Sequence, residues 1–176
     1  MKSEYKLIEN LSKEQFNGFS GEAAVKSHFL GSYEWGEVTG RTGRWKPYYI
    51  GVAKNDTLIA TALLLQKPLL CGYSYFYIPR GFSMDYSDTE AVKAVTQCVH
   101  EFCKKHRAIY FKIDPDIKLH TIDIDGNIID GEKNYALSDA LIAMGYKRKP
   151  LNYFFENEQP RFTFRIPLTN TLEAIE

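Results

Sequence analysis

A chain of 176 residues is read as one globular domain, large enough to bury about 70% of its unfolded surface. Its 22 basic and 22 acidic residues balance, so net charge demands neither nucleic acid nor an anionic membrane, although a local basic cluster could still meet either. No segment approaches the roughly 20 apolar residues that span a bilayer, and the opening MKSEYKLIEN has no apolar signal region, so a cytoplasmic chain with no integral membrane segment is expected.

Tyr5 to Ile8 suits a short first strand. Ser12 with Gln15 three residues on forms a capping-box pattern, opening a helix through Phe16 and Phe19 that ends near Gly21. A second helix is expected over Ser32 to Arg41, with Trp35 and Val38 on one face. Tyr48 to Ala53 and Leu58 to Gln66 are β-branched, aromatic and aliphatic runs joined through Asn55 and Asp56, which reads as a hairpin. Gly72 to Ile78 supplies the next strand.

Ser87 and Glu90 form a second capping-box pattern ahead of Val92, Val95, Val99 and Phe102, which predicts an amphipathic helix of about five turns. Cys98 and Cys103 fall on its apolar stripe. With Cys71 the cysteines number three, at no metal-ligand spacing, so the helical pair are expected as buried thiols in a reducing compartment. Lys104, Lys105, His106 and Arg107 suit the negative end of the helix dipole and a solvated face. Ala108 to Ile113 reads as a continuous, buried-type strand stopped by Asp114 and Pro115. A helix near Tyr135 to Met144 ends at Gly145, and strands around Tyr146 to Glu156 and Phe162 to Ile166 close the chain.

Several signals carry less than they suggest. Asp123, Asp125, Asn127 and Asp130 resemble a calcium loop, but Gly126 comes two positions early and Asn134 stands where a glutamate is needed, so a hairpin or surface loop is expected. His28, His100, His106 and His120 show no zinc spacing and stay unassigned.

The stretch YIPRGFSMDY, Tyr77 to Tyr86, is the main site candidate. It places Pro79, Arg80, Gly81 and Asp85 in a turn at the mouth of an apolar, aromatic strand, where a backbone can approach a ligand closely. The plain alternatives are a well-made loop, with Asp85 helping to cap the following helix and Lys112 with Asp114 forming a structural ion pair or turn.

The element order predicts an α/β (α+β) chain with a mixed central sheet flanked by helices, the order of the acyl-CoA N-acyltransferase fold of the GCN5-related N-acetyltransferases. Members of that fold that bind CoA open the helix after the central strand with spaced glycines whose amides hold pyrophosphate. Only Gly81 stands in the corresponding stretch, which disfavours acetyl transfer from CoA.

The chain resembles the amino-terminal half of the FemA, FemB, FemX and MurM family of peptidoglycan interpeptide-bridge aminoacyltransferases. The resemblance rests on SYEWGEV with Gly43-Arg44-Trp45, on YYIGVAKND, YIPRGFSMDY and IYFKIDPDI, and on LIAMGYK and NEQPRFTFRIPL, all in family order. It implies a single acyltransferase-like domain over residues 1–176, the first of two in the family. It also implies aminoacyl-tRNA as donor, a UDP-linked or lipid-linked muropeptide precursor as acceptor, and no metal or redox cofactor.

In that chemistry the attacking amine must lose a proton and the ester carbonyl must be polarised. The resemblance puts Asp85 at the catalytic position that orients or deprotonates the amine. Arg80 and Gly81 would hold a phosphate or carboxylate of the acceptor, Tyr77 would pack on its sugar or peptide, and Lys112 and Asp114 lie at the end of the adjacent strand. Two departures stand out. Relatives commonly carry a lysine just after the tryptophan of the second helix, whereas Trp35 is followed by Gly36, Glu37, Val38 and Thr39; Arg41 and Arg44 are the cations left to substitute. The sequence also stops where the second domain would begin, leaving catalysis open. The alternatives are a non-catalytic degenerate binding module, a stand-alone small-molecule N-acyltransferase, or two copies associating in place of the missing domain.

Overall fold

The computed structural model describes residues 4–21, 28–125, 127–129 and 134–148. The strands expected around Tyr146 to Glu156 and Phe162 to Ile166 lie almost wholly outside the described residues. The chain divides into two units, Met1–Met144 and Gly145–Glu176, and every element described below belongs to the first.

In chain order the elements are β1 (Tyr5–Ile8), α1 (Lys13–Ser20), α2 (Tyr33–Arg41), β2 (Lys46–Lys54), β3 (Thr57–Pro68), β4 (Ser74–Ile78) and β5 (Ser83–Met84). They continue with α3 (Thr89–Lys105), β6 (Ala108–Ile113), β7 (Thr121–Ile122), β8 (Ile128–Ile129) and α4 (Tyr135–Ala143). The main sheet runs β1-β2-β3-β4-β6, with β5 added to β3. Its pairings are antiparallel except β4 with β6, which are parallel and joined through α3, as a parallel step requires a crossover.

Because alternate residues of a strand face opposite ways, β3 supplies two cores. Ala60, Ala62 and Leu64 face Val92, Val95, Val99 and Phe102 of α3, whereas Leu63 and Leu65 face Phe16 of α1 and Tyr49. Full burial of each valine, leucine or phenylalanine among them contributes roughly 1.5–3 kcal/mol. The sheet is thus a central layer with α3 on one side and α1 and α2 on the other.

Local signals explain the helix starts. The Ser12–Gln15 capping box is complete in α1, and Ser32 caps α2 by accepting the Trp35 N–H. The expected cap of α3 is corrected: Asp88, not Ser87, accepts the Ala91 N–H at 2.9 Å, because the helix starts at Thr89 and the Ser87 hydroxyl is turned back to Asp85. Trp35 and Val38 both lie in α2, as expected, and Val38 is exposed. The face of α2 that meets the sheet is built on Gly36, where a Cβ would collide with the Tyr49 hydroxyl and with Leu63. The Tyr33 and Tyr49 rings stack there at 3.8 Å, and burial pushes the Tyr49 phenol well above its ordinary pKa.

Asn55 and Asp56 turn the β2–β3 hairpin with φ of 48° and 65°, the left-handed pair that a tight hairpin turn demands. The Asp123 stretch forms the β7–β8 hairpin, with the Asp123 carboxylate accepting the Asp125 and Asn127 N–H groups. Cys103 is buried and its thiol pKa is pushed up to about 12 by desolvation; Cys98 is half-buried and Cys71 exposed. β6 departs from the buried strand expected, since Ile109 and Tyr110 are exposed.

Candidate functional site

The Tyr77–Tyr86 segment leaves the carboxyl end of β4 in a turn closed by the Gly81 N–H on the Ile78 carbonyl at 3.1 Å. Pro79 takes the second position and Arg80 the third, with φ of 61°. A left-handed third residue is ordinarily glycine in such turns, so an arginine there is held against its own preference. The agent is Asp114, just past the end of β6, whose carboxylate accepts the Arg80 backbone N–H at 2.9 Å and the Tyr77 hydroxyl at 3.1 Å. Burial raises the Asp114 pKa above the ordinary carboxyl value, against those two donors, Arg80 and Lys112.

Gly81 follows at φ 73°, and a Cβ there would lie 2.6 Å from the Tyr86 hydroxyl and 3.2 Å from Pro115. That hydroxyl in turn accepts the Phe82 N–H at 2.8 Å. The segment is therefore locked at both ends, by Asp114 at its start and Tyr86 near its finish.

This turn borders a crevice lined by His28, Pro79, Arg80, Gly81, Tyr86 and Asp116 among others, whose free centre of about 20 Å³ has room for roughly one water molecule. Ala62, Leu63, Phe82 and Ile117 line it beside the polar residues, and it is too small for a bulky acyl chain. The Arg80 Nε is buried with no hydrogen-bond partner among the described residues, the kind of unsatisfied donor that folded proteins rarely keep.

Of the residues expected at the site, the structure brings together Tyr77, Arg80, Gly81, Lys112 and Asp114. The Lys112 ammonium lies 5.0 Å from the centre of the Tyr77 ring. Asp85 stands outside the crevice lining, exposed, and accepts the Ser87 N–H and hydroxyl at 2.8 and 2.7 Å. Those bonds hold its carboxyl below the ordinary pKa.

Arg41 and Arg44 are not at the crevice. α2 begins beside it, Gly31 lying against the Pro79 carbonyl, and then runs nine residues, or about 13 Å, before Arg41. Arg41 borders a separate open groove with Glu37, Trp45 and Lys46; Trp45 links the two regions, its ring 6.4 Å from that of Tyr77.

His28, Tyr86 and Asp116 are crevice residues that the sequence reading did not assign. Tyr86 closes the motif itself and Asp116 follows the Asp-Pro pair, so both had a positional signal. His28 had none, because it reaches the site through the short helical turn Phe29–Gly31.

A mixed sheet with one parallel step across a helix, and a turn site at the carboxyl ends of the two parallel strands, defines an N-acetyltransferase-like acyltransferase fold. A putative acetyltransferase from Agrobacterium tumefaciens str. C58 shares it, with a TM-score of 0.51 at 14% identity over 92% of this chain and 99% of that one. The crystal structure of FemX aligns with a TM-score of 0.62 and 26% identity, covering 81% of this chain and 32% of that one.

The FemAB family model matches residues 11–175, and the chain belongs to that family. Aminoacyltransferase FemA of Staphylococcus aureus (strain bovine RF122 / ET3-1) is 28% identical over 151 residues, which is 84% of this chain and 35% of the relative. The Staphylococcus epidermidis protein of the same name is 27% identical over the same shares. The chain thus spans about a third of the length of these relatives.

Proposed function

We propose that this chain is the acceptor-binding part of a tRNA-dependent aminoacyltransferase that builds peptidoglycan interpeptide bridges. Supporting this are its family, the aminoacyltransferase activity in its relatives' names, and one observation above the others: a buried, unpartnered Arg80 Nε in a turn strained to place it. A guanidinium with its Nε buried and unsatisfied calls for an anion with matching acceptors, and a phosphate or carboxylate of a UDP-linked or lipid-linked muropeptide supplies one.

In this reading Arg80 takes the anionic group, Gly81 allows the ligand close to the backbone, and Tyr77 with Lys112 flanks the sugar or peptide. Asp114 touches no ligand; it positions Arg80. Asp85 acts at the amine. A carboxyl held ionised by two Ser87 donors is a weak base but a good anchor for an ammonium group, so its role is to orient the acceptor amine. Arg41 and Arg44 would meet only the far end of a long acceptor lying past Trp45. The aminoacyl-tRNA donor would be bound by parts of such an enzyme beyond the third represented here.

Acetyl-CoA is a poor alternative donor. At the start of α3, where that fold binds pyrophosphate, the first-turn amide of Ala91 is taken by Asp88, and Asp85 and Glu90 add negative charge.

The test is calorimetric titration of UDP-linked muropeptide into the chain and into Arg80→Ala. Loss of a charge-assisted contact should weaken binding about tenfold to a hundredfold. No binding to the native chain, or equal binding to both, rejects the acceptor site.

A further inference from the structure

At the opposite end of β4 from the crevice, the β3–β4 hairpin ends in a loop whose apolar side chains are exposed among the described residues. Leu70 is 89% exposed, Tyr73 48% and Leu69 39%. The loop is ordered all the same. The Leu69 N–H bonds the Tyr73 carbonyl at 2.8 Å, and Cys71 and Gly72 are successive left-handed residues, with φ of 57° and 72°. Holding a leucine out in water on a backbone of that kind gives the isolated domain nothing in return.

Cations surround the loop. Arg107 lies 5.0 Å over the Tyr73 ring and donates to the Cys71 carbonyl. Its neighbours Lys104 and Lys105 end α3, and Lys67 stands in β3 just before the loop, opposite Tyr75 of β4, its ammonium 5.4 Å from the centre of the Trp45 ring. Lys46, opposite Gln66, and Lys105 both bear on His106, which packs under the same corner. Glu9 lies against this group, 3.0 Å from Lys105. The chain as a whole is neutral, so the excess of cations here is local.

We propose that this corner is a docking surface for an anionic lipid bilayer, with Leu69, Leu70 and Tyr73 entering the interface and Lys46, Lys67, Lys104, Lys105 and Arg107 meeting the headgroups. The combination is that of interfacial anchors: a small apolar tip, an amphipathic aromatic residue at its base, and long cationic side chains around it. A projecting tip fits a deformable interface better than a groove-bearing partner, and the cations complement its charge. Leu69, Leu70, Tyr73, Lys104, Lys105 and Arg107 border neither the crevice nor the Arg41 groove, so in these residues the inference is independent of the acceptor reading; Lys46 alone lines that groove as well.

The experiment is co-sedimentation of the chain with phosphatidylcholine vesicles and with vesicles containing phosphatidylglycerol, each at low and high salt. The native chain should sediment with the anionic vesicles alone, and salt should release it. Leu69→Ser with Leu70→Ser, exposed positions whose change leaves the core intact, should reduce the bound fraction about tenfold. Lys104→Gln with Lys105→Gln should weaken binding and flatten its salt dependence. Absence of sedimentation, equal binding to neutral vesicles, or no effect of the double-serine change overturns the proposal. So does a concentration-dependent dimer, seen by analytical ultracentrifugation, that the double-serine change abolishes, because the tip would then serve a second copy.

Discussion

The Asp114 carboxylate and the Arg80 backbone N–H, 2.9 Å apart, decide the shape of the crevice. Removing the carboxylate in Asp114→Ala should cost about 1–3 kcal/mol, because the Arg80 N–H and Tyr77 hydroxyl lose their acceptor in a half-buried setting. Asp114→Asn keeps an oxygen for the Arg80 N–H and should cost less. Chemical denaturation of the three proteins checks the order, and muropeptide binding should follow it although Asp114 meets no ligand.

Gly81→Ala should be the most damaging small change in the motif. It places a Cβ 2.6 Å from the Tyr86 hydroxyl at φ 73°, combining overlap with left-handed strain of about 1–3 kcal/mol. Thermal unfolding should show a clear loss, and relieving the overlap with Tyr86→Phe should recover only part of it.

Asp85→Asn tests the amine-orienting role cleanly. Asparagine can still accept the Ser87 N–H, so the turn survives and only the charge is lost. Stability should stay within about 0.5 kcal/mol, while transfer by a complete enzyme carrying the change should fall more than tenfold, the order expected of a group that acts at the reacting amine. Unchanged turnover would remove Asp85 from the mechanism.

Glu34 gives an acid-range signature. It joins α1 to α2 through Lys13 at 2.9 Å and Asn17 at 3.0 Å, and the Lys13 contact, its own backbone and Asn17 lower its pKa to about 2. A depressed folded-state pKa adds stability that is complete above the unfolded value of about 4.3 and is lost as pH falls toward the folded one. The stability gap between the native chain and Glu34→Gln should therefore be constant near neutrality and close on acidification through that window. Asp114 has the opposite sign: its raised pKa contributes stability at low pH that is lost as pH rises through the folded value, and Asp114→Asn should remove that slope.

The hairpin turn offers a stabilising change. Asp56 sits at φ 65°, a conformation costing an ordinary residue roughly 1–2 kcal/mol, and glycine favours the second position of such a turn. Asp56→Gly should raise stability by about 0.5 kcal/mol once the added freedom of the unfolded chain is deducted, measurable as a higher denaturant midpoint.

Much of this architecture was legible in the residues. Strand β1 and the start of α1 follow from local pattern alone, because Ser12 and Gln15 satisfy each other within one turn. The Asn55-Asp56 hairpin was legible for the same reason. Tertiary competition is what sequence pattern missed. Ser87 looked like a cap, but its hydroxyl is turned back to Asp85, two residues away, and the helix begins one residue later on the Asp88 carboxylate. Val38 matched the helical period, but Gly36 lets α2 approach the sheet on a neighbouring face. At the site, Tyr77, Arg80 and Gly81 were marked by turn chemistry. Arg41 and Arg44 were chosen for charge, and charge says nothing of which end of α2 adjoins Pro79.

The bond from Arg80 to Asp114 also spans 34 positions of sequence, with the whole of α3 between its partners. Such a contact carries the closure cost of a long loop and forms only after α3 has packed and β6 has joined β4. The arginine turn is then among the last parts of the domain to be completed on folding. Among the first to open in native-state hydrogen exchange should be the Arg80 amide, well ahead of the β2–β3 ladder, so a chain that has folded but not finished would keep its sheet while the arginine turn stays unformed.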